Sequence, residues 1–153
     1  MTECEIPAEE RARIVSYFSE RFGISESLFD GFRFTGASHE RVYMVPREMI
    51  HHPKQSSAGL NIARLGRGVK PSTNFLQMFN GSILKNRLEL TRESAREFIA
   101  GDKITFESDE TEKSTDGYVA VAYRGDCLGC GFLRGKVLRN MLPKSHRRRV
   151  KYL

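Results

Sequence analysis

The residues of this chain best suited to chemistry are its cations. Lys144, Arg147, Arg148, Arg149 and Lys151 fall within the terminal block LPKSHRRRVK. Five fixed positive charges in so short a span raise the local potential and would release counterions on meeting a phosphate backbone. Arginine adds bidentate phosphate contacts and stacking on bases. A second group, Arg64, Arg67 and Lys70, lies around the glycines of LGRGVK, just before Ser72. A third, Lys85, Asn86 and Arg87, follows Gly81. Glycines let a backbone come close to a phosphate or sugar, so that amide N–H groups can donate beside the side chains. For each group the alternative is a solvated basic surface, because exposed Lys and Arg are ordinary.

Other chemistry finds less support. Cys127 and Cys130 form a CxxC. A structural zinc site needs four ligands, and Cys4 with four scattered histidines supplies no second pair. A redox site wants the motif opening a helix, which lowers the thiol pKa. Here it sits in an apolar, glycine-rich run that reads as a strand, so small residues packed in a barrel wall are expected. His51 and His52 precede Pro53 in a stretch of loop composition, with no carboxylate or nucleophile tied to them by spacing. Phosphate-loop, GxSxG and HExxH patterns are lacking. The expectation is a chain with no catalytic residues, no metal and no cofactor.

The elements that must position the cations follow from composition and pattern. The chain has 153 residues, 39% hydrophobic and 29% charged, enough to bury a core without staples. Three cysteines are too few for a disulfide framework. No apolar run approaches a membrane span, and the acidic N-terminus lacks the features of a signal peptide, so a cytoplasmic protein is expected. Residues 1–60 hold seven Lys/Arg against nine Asp/Glu, a net of −2, while residues 61–153 hold eighteen against ten, a net of +8. Such asymmetry points to a polyanionic partner for the second half.

A helix is expected over residues 7–22, opened by Pro7 with Glu9 and Glu10 behind it, and closed by Gly23. Ile14, Val15, Phe18 and Phe22 would form its apolar stripe. Strands are expected at 32–35 and 41–45, with a turn at 36–39. Residues 51–58 have the composition of a junction, and 59–65 read as a further strand. Ser72 or Thr73 caps a short helix that ends at Asn80 and Gly81. Residues 83–90 read as extended, and Thr91 caps a helix over 92–100 that Gly101 terminates. Strands at 103–106, 117–123, 127–133 and 136–142 remain, with an acidic loop over 107–116, the pattern of a small sheet or barrel.

Taken together, the second half resembles the PUA family of RNA-binding domains. The run FLQMFNGSILKNRLEL, then TRESAREFIAGDKI closing on Gly101 and Asp102, is similar to that family's opening β-α-β-α-β unit. The run GYVAVAYRGDCLGCGFLRGKVLRNMLPKSHRR is similar to the closing strands of the PUA-like domain at the C-terminal end of Sun/RsmF-type RNA cytosine-5 methyltransferases. Residues 1–60, with FGI and FDGFRF, resemble the segment that precedes PUA modules in archaeal relatives.

The resemblance implies an α+β chain: a small N-terminal α/β subdomain (1–60) packed on a PUA-like mixed β-barrel with two short helices and a basic C-terminal tail (61–153). It implies binding of structured RNA, tRNA or rRNA, through the first barrel helix, the glycine loop after it and the last strand. On this chain those are Ser72 to Phe79; Gly81 with Lys85, Asn86 and Arg87; and Lys144 with Arg147, Arg148 and Arg149. The last two are expected to share one surface, with LGRGVK left open. No Pro-Cys nucleophile is present, so a non-catalytic accessory factor in RNA modification or ribosome biogenesis is expected, with an RNA-modifying enzyme or ribosomal component as partner. The alternative is a protein–protein adaptor that recruits such an enzyme without touching RNA.

Overall fold

The computed structural model describes residues 4–36, 40–48, 59–107, 109–151 and 153. The expected turn at 36–39 falls largely outside them, as do the junction at 51–58 and the His51–His52 pair.

Strand β1 (Cys4–Glu5) leads into helix α1 (Ala8–Phe22), for which Pro7 is the N-cap rather than the first helical residue. Gly23, in the left-handed region, closes α1 by donating its N–H to Ser19 O at 3.0 Å. Ile14, Phe18 and Phe22 are its fully buried face. Then come β2 (Phe32–Gly36), β3 (Arg41–Pro46), β4 (Leu60–Leu65) and β5 (Val69–Pro71). With β1 they make an antiparallel sheet in the order β1-β2-β3-β4-β5. This first sheet thus runs through residue 60 and ends at Pro71.

The second half holds α2 (Thr73–Met78), β6 (Arg87–Glu89), α3 (Arg92–Ala100), β7 (Ile104–Thr105), β8 (Gly117–Tyr123), β9 (Asp126–Arg134) and β10 (Val137–Asn140). Its sheet has the order β6-β8-β9-β10-β7 and is mixed, because β6 runs parallel to β8. Mixed α/β content with two five-stranded sheets is compatible with the expected PUA-like class. The expected strand at 83–90 shortens to three residues. Asn86 breaks it: at φ 53° its amide donates to Arg21 O (2.6 Å) and accepts from Thr115 N (2.9 Å).

The halves share side chains rather than abutting. One apolar cluster joins α1 and β2–β5 to Phe75 and Leu76 of α2, Ala120 of β8 and Cys130 of β9. A second unites α3 with β6–β10 and Leu142. Arg21 at the end of α1 fastens the two polar surfaces, donating to Tyr118 O (2.6 Å), Thr115 O (2.7 Å) and Thr115 Oγ1 (2.6 Å). None of the described helices is long and apolar enough to cross a membrane.

The last strand stops at Asn140 instead of reaching 142. The Asn140 amide donates to Phe98 O (2.7 Å) and accepts from Leu142 N (2.9 Å), turning the chain. Beyond this turn the chain forms a strap rather than a loose tail. Lys144–His146 form a 3-10 turn, Arg148 N donates to Ile99 O (2.9 Å), and Arg96 Nε reaches Val150 O (3.2 Å).

Candidate nucleic-acid interface

The strap lies across from the first sheet, and between them is a cleft of about 860 Å³. One lip is Arg41, Arg64 and Lys70 of β3, β4 and β5; the other is Lys144 and Arg147 of the strap. Asn61, Ser72, Asn74 and Asn140 line the space between. Among the described residues, five cations and no carboxylate thus border one concavity. A surface of that composition focuses positive potential inward and favours a polyanion.

Local bonding explains why the walls hold still. Ser72 caps α2, its hydroxyl accepting from Phe75 N (3.0 Å) and donating to Asn61 O (2.5 Å), which ties the helix start to β4. Thr73 Oγ1, buried, accepts from Cys130 N (3.1 Å) and ties it to β9. Arg147 Nε donates to Leu142 O (3.1 Å), which holds one edge of its guanidinium while the residue as a whole stays exposed.

The residues singled out in the sequence separate into four groups. Arg64, Lys70, Ser72, Lys144 and Arg147 come together on the cleft. Arg67 is exposed in the β4–β5 turn, beyond the lining, and Gly81 sits in the 3-10 turn Asn80–Ser82. Arg148 and Arg149 face other hollows, and that of Arg149 also carries Glu93, Glu97 and Asp102. Lys85, Asn86 and Arg87 do not line the cleft. Lys85 lies beside Gly23 at the end of α1, and Asn86 makes the bonds that delay the expected strand to Arg87. The Arg87 guanidinium is engaged by Asn80 and Gly125 O, and by Glu89 at 3.4 Å. At the cleft it is LGRGVK, through Arg64 and Lys70, that the strap meets.

Arg41, Asn74 and Asn140 carry no signal in the sequence pattern. Arg41 is an isolated cation at the head of a strand, and only strand register, Arg41 opposite Arg64 and Arg64 opposite Lys70, brings it to the site.

The CxxC lies on β9 as expected, and burial governs it. Loss of solvent pushes the Cys127 thiol from 9.0 up to about 11 and the Cys130 thiol up to about 12. Thiolate, the reactive form, is therefore scarce at neutral pH. At pH 8 iodoacetamide should alkylate exposed Cys4 in the folded protein and leave Cys127 and Cys130 unmodified, as read by peptide mass spectrometry. The same shifts stabilise the fold less as pH rises from about 9 toward 11 and 12, because the unfolded thiols ionise first, so melting temperature should fall across that interval. Among the described residues no three of His, Cys, Asp and Glu gather as a metal set.

The family model described as the methyltransferase RsmF PUA domain matches residues 85–148. Among curated proteins, the ribosomal RNA small subunit methyltransferase F of Psychromonas ingrahamii is 29% identical over 143 residues. The match takes in 86% of this chain and 28% of that protein. The chain therefore spans about 28% of the length of the curated relative it matches.

Proposed function

We propose that this chain, which carries a PUA-like domain similar to that of the RsmF-type methyltransferases, is an RNA-binding unit that serves ribosomal RNA modification without a reaction centre of its own. One observation carries the reading: a concavity bordered by Arg41, Arg64, Lys70, Lys144 and Arg147 and, among the described residues, by no carboxylate. Phosphates would sit on these cations, and the shape of the cleft would select the RNA. The relative is named for small-subunit ribosomal RNA, which favours rRNA over tRNA as the structured partner; the proposed setting is the cytoplasm, beside a modifying enzyme. The two-part organisation expected at 1–60 and 61–153 is proposed with its boundary moved to Pro71, where the first sheet ends and the PUA-like unit begins.

Titrating the chain with a small-subunit rRNA fragment tests it by fluorescence anisotropy. Five phosphate contacts should cost about two to three orders of magnitude in affinity between about 50 and 200 mM salt. Absence of RNA affinity at low salt would overturn the reading in favour of a protein-binding adaptor.

A further inference from the structure

The family match begins at residue 85, yet three of the five cations on the cleft belong to the sheet before it. Their arrangement is unusual for a sheet surface. Arg41 stands directly opposite Arg64, and Arg64 directly opposite Lys70, so one cation from each of three neighbouring strands forms a row across the sheet. Residues paired this way have Cβ atoms roughly 5 Å apart, and like charges so placed destabilise a sheet. All three are exposed. Among the described residues none of them is held in an ion pair, and the carboxylate of Glu40 lies beside Gly66 instead. The other side of the sheet shows no such arrangement: their neighbours Val42 and Ala63 are core. The row therefore carries a repulsion that the described part of the fold does not offset, and an anion with several linked charges would relieve it.

We propose that Arg41, Arg64 and Lys70 form a rail along which an unpaired RNA strand runs into the cleft, so that the N-terminal sheet supplies half of the RNA site. This rests on the RNA-binding reading above and names the form of RNA. The rail and the strap cations, Lys144 and Arg147, face one another across a concavity. A cavity of about 860 Å³ has room for a few nucleotides of one strand and not for the girth of a duplex, so a single strand can enter and be held from two sides. None of the described residues lining the cleft is aromatic. Stacking therefore contributes little, and binding is electrostatic, tolerant of sequence and sensitive to salt.

The test uses the full chain and three RNA probes: an oligouridine of about ten nucleotides, a blunt hairpin, and the same hairpin with an unpaired 3′ extension. The parent should bind the oligouridine and the extended hairpin at least about tenfold more tightly than the blunt one. Its logarithmic salt slope on oligouridine should be about −3.5, from five contacts at about −0.7 each. The double variant Arg64→Ala/Lys70→Ala should lose at least about tenfold on the unpaired probes, with the slope falling by about 1.4. Arg64→Lys should keep most of the affinity. Because both positions are exposed and repel each other, the melting temperature of the double variant should hold or rise; should it fall, Arg64→Gln/Lys70→Gln asks the same question. A double variant that binds RNA like the parent overturns the rail and leaves RNA binding standing. A blunt hairpin bound as tightly as the extended one overturns the unpaired strand. A parent that binds no RNA overturns both.

Discussion

Replacing Phe75 by Ala should destabilise the protein by about 3–5 kcal/mol, one of the largest single effects its architecture allows. Phe75 is fully buried, and its ring centre lies 4.5 Å from that of Phe18, 6.0 Å from Phe29 and 5.0 Å from Phe79. Phe18 comes from α1 and Phe29 from the 3-10 turn after it, so this one ring joins the two halves of the chain. Helix α2 has only six residues, too few to stand alone in water. Its place depends on burying Phe75 and Leu76. The cavity left by Ala would also loosen Ser72 and Asn74 at the cleft, so RNA affinity should fall with stability. Urea denaturation reads the effect as a lower midpoint at unchanged slope. Phe79→Ala, at a position only partly buried, should cost less. A loss below about 1 kcal/mol for Phe75→Ala would mean that α2 is held by its cap and not by its ring.

Much of this scaffold could be read from local chemistry. Gly23 and Gly101 end α1 and α3 in the left-handed region, and Thr91 caps α3 by accepting from Ser94 N at 3.2 Å. These signals lie within a few residues of the bonds they control. The strands of β8 and β9 were legible for the same reason, as apolar runs between glycine turns. Two features depended on distant partners and were not legible. Asn86 looks like one more polar residue beside two cations, yet its bonds to Arg21 and Thr115 delay the expected strand to Arg87. Asn140 likewise stops β10 and sends the terminal cations back over α3, through partners 42 and 38 residues away.

The candidate site was half legible for a related reason. Composition identified LGRGVK and the terminal block as basic, and both contribute to the cleft through Arg64, Lys70, Lys144 and Arg147. It could not say which clusters meet, because charge carries no register. Arg87, engaged by Asn80, Gly125 and Glu89, lies off this cleft although its charge is the same. Arg41 shows the converse, a lone residue brought to the cleft by the strand beside it.

The other large effect expected is at Gly129, between the two cysteines of β9. Its φ is +155°, and a Cβ there would overlap Leu142 Cδ2 and lie 3.1 Å from Thr73 Cγ2. Both neighbours are buried, so neither can swing into solvent. Gly129→Ala therefore combines overpacking, at about 1–3 kcal/mol, with backbone strain of about 1–3 kcal/mol. The displacement has a direction that matters for binding. Leu142 and Thr73 both line the cleft, and Leu142 O accepts the bond that fixes Arg147. Forcing them from β9 lifts the strap, and with it Lys144 and Arg147, away from the rail. Stability should fall in urea, and RNA affinity should fall further than the lost folded fraction explains. Gly125→Ala separates the two costs: at φ +85° with nothing within 4 Å of a new Cβ, it carries strain without a clash. It should destabilise less and leave RNA affinity as it was. Equal losses at the two glycines would show that backbone conformation alone, and not the contact with Leu142 and Thr73, sets the requirement for glycine at position 129.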